Sequence, residues 1–120
     1  MKNLVIFGSG FHAKVLFFEI QKLKSYKILG FVDDLKGKVK ILSFKNKDYK
    51  VLDKTKNIVS KKNLFGVVAI GDNYTRKKIV DYVYRLNKKF KWEKIISKNA
   101  LILDNVKIGD GSVILSGSVV

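Results

Sequence analysis

Lys2-Asn3-Leu4-Val5-Ile6-Phe7-Gly8-Ser9-Gly10-Phe11-His12-Ala13-Lys14, near the start of the sequence, passes from an apolar run to a glycine loop. The first half is a short apolar run bounded by Gly8, the pattern of a strand buried on both faces of a parallel sheet. Gly8 to His12 reads as a tight loop. From Ala13 to about Lys24, Leu16, Ile20 and Leu23 recur at the spacing of one helix face. Ile28–Val32 is a second apolar strand, stopped by Asp33-Asp34. Strand, loop, helix and strand in this order predict a βαβ unit with a right-handed crossover.

The loop has the form G-x-G-x-x-A, in Gly8, Gly10 and Ala13. The first glycine permits the turn, and the second lets the backbone approach a phosphate. The third position is small so that the helix packs on the sheet. Backbone N–H groups at the helix start then face an anion. Ser9 lies between the glycines, and Lys14 adds positive charge. His12, the single histidine of the chain, stands in the loop, where its ring can contact a sugar or a diphosphate. With one histidine there is no Ser-His-Asp arrangement to argue, and no carboxylate pair stands out for acid–base work. Asp33 follows Ala13 by 20 residues. An acid so placed binds a ribose hydroxyl in dinucleotide enzymes. Asp33 and Asp34 are therefore candidates for a ribose or a base, set against the plainer reading of a solvated turn.

Further along, Ile41–Phe44 and Tyr49–Leu52 read as short strands and Asn57–Asn63 as a helical turn. Gly66–Ile70 is a clear buried strand, broken by Gly71-Asp72-Asn73. Asn73 suits an N-cap for a helix carrying Ile79, Val83, Leu86 and Phe90 on one face. Gly71, Asp72 and Asn73 are expected at the carboxyl edge of the sheet, beside the first loop, where such folds bind ligands. Arg76, in the first turn of that helix, is placed to reach a phosphate. Trp92–Ile96 reads as the last strand. Residues 1–97 thus form a small doubly wound, Rossmann-like α/β domain with a parallel sheet.

The chemistry changes after Ser97. Residues 1–97 carry 23 basic and 8 acidic residues, the whole of the net +15, whereas residues 98–120 carry two of each. Ile102, Ile108, Ile114 and Val120 repeat every six residues, with Ala100, Val106, Ser112 and Ser118 two places before each. Glycines recur at 109, 111 and 117. This is the hexapeptide pattern of a left-handed parallel β-helix, so residues 98–120 read as its first coil. One coil cannot bury its own interior, and the protein is expected to continue past Val120.

Composition narrows the classes. Apolar residues at 47% argue for a packed core rather than disorder. With no cysteine and one histidine, disulfides and a zinc site are disfavoured. No run is long enough for a membrane span or a signal peptide, so no membrane insertion and a cytoplasmic location are expected. The charge comes from 23 lysines and only 2 arginines, Arg76 and Arg85, in no block of five or more. Arginine is what base and phosphate recognition prefers, so no nucleic-acid partner is expected.

Four stretches together resemble one family. Phe7 to Val15 is similar to the opening loop of the PglD/NeuD-type sugar acyltransferases, hexapeptide-repeat acetyltransferases. Phe31 to Gly37 resembles the acidic end of their second strand. Val68 to Asn73 with Arg76 to Ile79 resembles their central strand, loop and helix, and Ala100 to Val120 the start of their β-helix. The resemblance implies an acetyl-CoA-dependent sugar N- or O-acetyltransferase of surface glycan biosynthesis. It implies a homotrimer that binds a UDP-sugar, a similar nucleotide-sugar or a sialic acid in this N-terminal part and acetyl-CoA along the β-helix. The family's general base is a histidine on that β-helix, expected beyond Val120, so no catalytic residue is assigned here and the chain by itself is expected to bind rather than transfer. A non-catalytic nucleotide- or NAD-binding regulatory module is the alternative; the glycine loop and Asp33 fit it, but the hexapeptides do not.

Overall fold

The computed structural model describes residues 1–96 and the short strand Val113–Ile114. The chain runs through β1 (Lys2–Phe7), α1 (Phe11–Leu23), β2 (Tyr26–Val32), β3 (Lys40–Phe44), β4 (Lys47–Asp53), α2 (Thr55–Ile58), β5 (Leu64–Val68), α3 (Asn73–Leu86), β6 (Lys91–Trp92), β7 (Ile95–Ile96) and β8 (Val113–Ile114). Six strands form one sheet in the order β3-β4-β2-β1-β5-β6. All neighbours are parallel except β3, which pairs antiparallel with β4 at the edge. The α/β fold class expected of the N-terminal part is the one observed.

The period-two alternation of β1 builds both faces of the sheet. Leu4 and Ile6 pack with Ala13, Leu16, Phe17 and Ile20 of α1. Val5 and Phe7 pack with Ile58 and Val59 of the α2 segment and Val83 of α3 on the opposite face. Right-handed crossovers explain this placement. The chain leaves β1 in one direction towards β2, and β5 in the other towards β6, so α1 and α3 must cover opposite faces. The order therefore reverses between β1 and β5, which makes the gap between their carboxyl ends a topological switch point.

Local chemistry sets the remaining elements. The β3–β4 hairpin turns on Lys45 (φ 51°) and Asn46 (φ 63°), both left-handed, in the manner of a two-residue type I′ loop. On β5, Gly66 leaves room for an aromatic cluster: a Cβ there would lie 2.7 Å from Phe90 and 2.8 Å from Phe7. The Phe7 and Phe90 rings meet edge to face with centroids 5.8 Å apart, and Trp92 sits 5.1 Å from each.

Several boundaries differ from expectation. Asp72, not Asn73, caps α3, because its carboxylate accepts from the backbone N–H groups of Tyr74 and Thr75. The helix ends at Leu86, which is 43% exposed, so Leu86 and Phe90 do not extend its buried face. Asn87 terminates it: the backbone turns extended there, and the side-chain amide donates to the Val59 carbonyl at 2.7 Å. The helical turn expected over 57–63 starts earlier, at Thr55, whose N–H donates to Asp34 Oδ1 at 2.6 Å. Trp92–Ile96 is not one strand. Lys91–Trp92 completes the main sheet, while Ile95–Ile96 pairs in parallel with Val113–Ile114. Glu93 makes the break, its N–H donating to the Gly66 carbonyl and its carboxylate accepting from Lys2 Nζ and Tyr26 Oη, each at 2.9 Å. Apart from Val113–Ile114, the hexapeptides read from residue 98 onward lie outside the described residues.

Candidate functional site

The carboxyl ends of β1, β2 and β5 are stitched together by backbone hydrogen bonds. Gly8 N donates to the Val32 carbonyl at 2.9 Å and Ala69 N to the Phe7 carbonyl at 2.9 Å. The loops after these strands meet at the switch point. Gly8 adopts φ +107°, and a Cβ on it would lie 3.0 Å from the Ala69 carbonyl oxygen and 3.1 Å from Ile70. The first loop glycine is thus required by backbone conformation and by contact with the β5 loop.

A cavity of 250 Å³ opens at this edge, lined by Phe7, Gly8, Val32, Asp33, Asp34, Leu35, Thr55, Ile70, Thr75 and Ile79. The walls are mainly apolar, with two carboxylates on one side. Concave sites of this kind, apolar with a few placed polar groups, are the usual form of small-ligand pockets. Larger hollows occur on the open face of α3 and at the start of β5. The first shares Thr75 and Ile79 with the cavity but otherwise runs along α3, and the second lies at the opposite ends of the strands, so position at the switch point outweighs size in choosing the site.

Both carboxylates are held. Ser9, buried in the glycine loop, donates its hydroxyl to Asp33 Oδ2 at 2.6 Å, and Leu35 N–H donates to Asp33 Oδ1 at 2.9 Å. Asp34 Oδ1 takes the Thr55 N–H at the start of α2. These bonds fix the acids rather than exhaust them, since an ionised carboxylate has about four acceptor positions.

The start of α1 has a different character. Gly10 is the N-cap, and among the described residues no side chain caps the helix there. A Cβ on Gly10 would meet nothing within 4 Å. Open space therefore lies beside a helix start whose first N–H groups carry the positive end of the helix dipole. The third small position, Ala13, is fully buried against the sheet. His12 and Lys14 are exposed on the first turn of α1.

Of the residues predicted from sequence, Gly8, Asp33 and Asp34 line the cavity, and Ser9 is bound to Asp33. Gly10, His12, Lys14, Gly71, Asp72, Asn73 and Arg76 sit on the loops and first helical turns at the same edge but not in the cavity wall. Asp72 is engaged in capping. Besides the two backbone N–H groups it accepts from the Thr75 hydroxyl at 2.6 Å, and these bonds, that of Thr75 foremost, hold its carboxyl below the usual range. As site residues, sequence reading missed Phe7, Val32, Leu35, Thr55, Ile70, Thr75 and Ile79. Leu35, 94% exposed after an acidic strand end, is the one with a signal of its own. It missed also Phe11, an aromatic within the glycine motif that is 74% exposed. Among the described residues no group of acids or histidines could hold a metal ion, and no helix is long and apolar enough to cross a membrane.

Residues 3–83 match the family described as PglD N-terminal domain. No curated protein matches the chain. Among solved structures, the chain is similar to the acetyltransferase domain of PglB from Neisseria gonorrhoeae in complex with acetyl coenzyme A. The identity is 27%, the TM-score 0.79, and the match covers 98% of this chain and 55% of that one. It also has the fold of PerB from Caulobacter crescentus, solved with CoA and GDP-perosamine, at 23% identity and TM-score 0.79, over 100% of this chain and 54% of that one. The chain thus spans about half the length of these solved proteins.

Proposed function

We propose that this chain, which belongs to the PglD N-terminal domain family, is the acceptor-binding domain of an acetyl-CoA-dependent nucleotide-sugar acetyltransferase. The observation that carries this reading is the juxtaposition at the switch point of an uncapped helix start and a cavity with fixed carboxylates. The two halves suit the two halves of a nucleotide-sugar. The N–H groups at the start of α1, with Lys14 and Arg76 nearby on the same edge, suit the diphosphate. Asp33 and Asp34 repel phosphate but accept from ribose hydroxyls or from a base N–H, and Phe7, Val32, Leu35, Ile70 and Ile79 offer an apolar bed for a flat base.

The chemical task of this domain is positioning. Holding the nucleotide by both ends fixes where the sugar's amine or hydroxyl projects, which lowers the entropic part of the barrier to transfer. Acetyl-CoA, when bound, supplies the activated acyl group. The solved relatives described with acetyl coenzyme A or CoA support that donor, and PerB, described with GDP-perosamine, supports a nucleotide-sugar acceptor. Neither the donor groove nor the proton-abstracting histidine is assigned to the described residues. Trimeric assembly belongs to the same proposal.

Calorimetric titration of the chain with a UDP-sugar, a GDP-sugar, CMP-sialic acid and NAD, repeated with Gly10→Val, tests the reading. Binding of one sugar nucleotide that the valine abolishes is expected and names the nucleotide. Binding of NAD alone would replace this reading with a dinucleotide-binding regulatory module.

A further inference from the structure

We propose that the edge of the sheet opposite the cleft is a docking face for an anionic lipid surface. Parallel strands begin at this edge, so the topology gathers residues far apart in sequence. Lys2 opens β1, Lys27 lies at the start of β2, Lys61 and Lys62 lead into β5, and Lys89 and Lys91 stand at the start of β6. Lys61, Lys62, Lys89 and Lys91 line one hollow of 430 Å³ together with Phe65 and Phe90. A second hollow of 660 Å³ shares Phe65, Phe90 and Lys91 and adds Lys2.

Lys2 is paired with Glu93, which also lines the second hollow, but among the described residues the remaining charges are largely uncompensated. The ion pairs Lys2–Glu93, Lys22–Glu19 and Lys38–Asp53 include none of the four lysines of the first hollow. Lys61 acts on Asp53 only at longer range. Lys2 and Lys91 both lie over the Phe65 ring, at 4.9 and 5.9 Å from its centroid. The face therefore sets ammonium groups around partly buried aromatic rings, Trp92 of the second hollow among them, and the ammonium groups suit anionic headgroups.

Lysine chemistry favours lipid over nucleic acid. An ammonium is a compact, hydrated charge suited to diffuse attraction by many phosphates. No arginine lines either hollow, and arginine is the residue that bidentate phosphate and base contacts select. Geometry also allows docking and substrate binding together, because the face lies at the amino ends of the strands and the cleft at their carboxyl ends.

Co-sedimentation of the full chain with vesicles of phosphatidylcholine alone, or with about one third phosphatidylglycerol, tests this. The chain is expected to sediment with the anionic vesicles only. Lys61→Glu, Lys62→Glu, Lys89→Glu and Lys91→Glu combined should lower partitioning at least about tenfold. Lys36→Glu, Lys40→Glu, Lys56→Glu and Lys77→Glu combined, with the same net charge, should leave it within about threefold of the unaltered chain. Circular dichroism checks that both variants fold; if the first does not, Lys62→Glu and Lys89→Glu made singly should each lower partitioning more than Lys36→Glu does. Indifference to anionic lipid, equal loss in the two charge-matched variants, or displacement from vesicles by a single-stranded oligonucleotide at equal phosphate concentration overturns the proposal.

Discussion

Ser9 Oγ donates to Asp33 Oδ2 at 2.6 Å, joining the glycine loop after β1 to the end of β2 across 24 residues of sequence. Ser9 is only 4% exposed and Asp33 is half-buried, so the bond is partly shielded from water. It explains why the residue between two glycines carries a hydroxyl, and it holds one cavity carboxylate in place. Ser9→Ala should lower stability by about 1.5–3 kcal/mol, the range for a hydrogen bond to a charged group. The same change in an Asp33→Ala background should have much less effect. Urea denaturation of the two singles and the double measures the coupling, and a coupling near zero would mean that the bond contributes nothing.

Gly8 and Gly10 should respond oppositely to substitution. Gly8→Ala forces a left-handed backbone and a 3.0 Å approach to the Ala69 carbonyl, with an expected loss of about 1–3 kcal/mol. In Gly10→Val the new Cβ meets no neighbour, so stability should change by no more than about 1 kcal/mol, while nucleotide-sugar binding is lost. Thermal melts and titration calorimetry separate the two effects. A valine at position 10 that binds normally would remove the α1 start from the site.

Gly66→Ala should destabilise by about 1–3 kcal/mol through overpacking, since the new methyl would press on both Phe7 and Phe90. Phe90→Leu added to Gly66→Ala should recover part of that loss. If the double variant is less stable than the sum of the singles, the aromatic cluster does not set the glycine requirement.

Asp72 caps α3 as a carboxylate. Its carboxyl is held below the ordinary value by the Thr75 hydroxyl and the Tyr74 and Thr75 N–H groups. A lowered folded-state pKa gives stability that is present above the unfolded value and lost as pH falls through the folded one. Asp72→Ala should therefore melt lower than the unaltered chain at neutral pH, with the gap closing as pH drops below the carboxylate range. A gap independent of pH would mean that charge plays no part in the cap.

Tyr26 makes the opposite case at the alkaline end. Burial, then the hydrogen bond to Glu93, pushes its phenol up from 10.0 to about 12. A raised folded-state pKa gives stability that is full below the unfolded value and lost as pH rises through the folded one. Stability should therefore fall between pH 10 and about 12, and Tyr26→Phe should flatten that part of the profile. An unchanged profile in the phenylalanine variant would mean that Tyr26 contributes nothing to the alkaline loss.

The elements were largely legible because each rests on local chemistry. The apolar run Leu4–Phe7, the glycines after it and the period of Leu16 and Ile20 mark β1, its loop and α1 within a few residues. Expectation and structure part where the path of a loop or a distant partner decides the matter. Asn73 and Asp72 are both good caps, and only the path of the loop selects Asp72. Phe90 keeps helical spacing with Val83, yet Asn87 bonds to Val59 and ends α3 before it. Glu93 interrupts an apolar stretch because Gly66, Lys2 and Tyr26 claim it.

The candidate site divides in the same way. By itself the sequence determined the glycine motif, the two acids at the end of β2 and the helix start behind Gly10, since turn geometry, side-chain size and spacing are written in adjacent residues. Tertiary structure alone decided that β1 lies between β2 and β5. It thereby decided that Leu35, Thr55, Ile70, Thr75 and Ile79 wall one cavity and that lysines of β1, β6 and the segments leading into β5 and β6 share the opposite edge. The reason is physical. A local pattern fixes which face a residue buries, but strand order is settled by the free energy of packing both faces of the whole sheet at once.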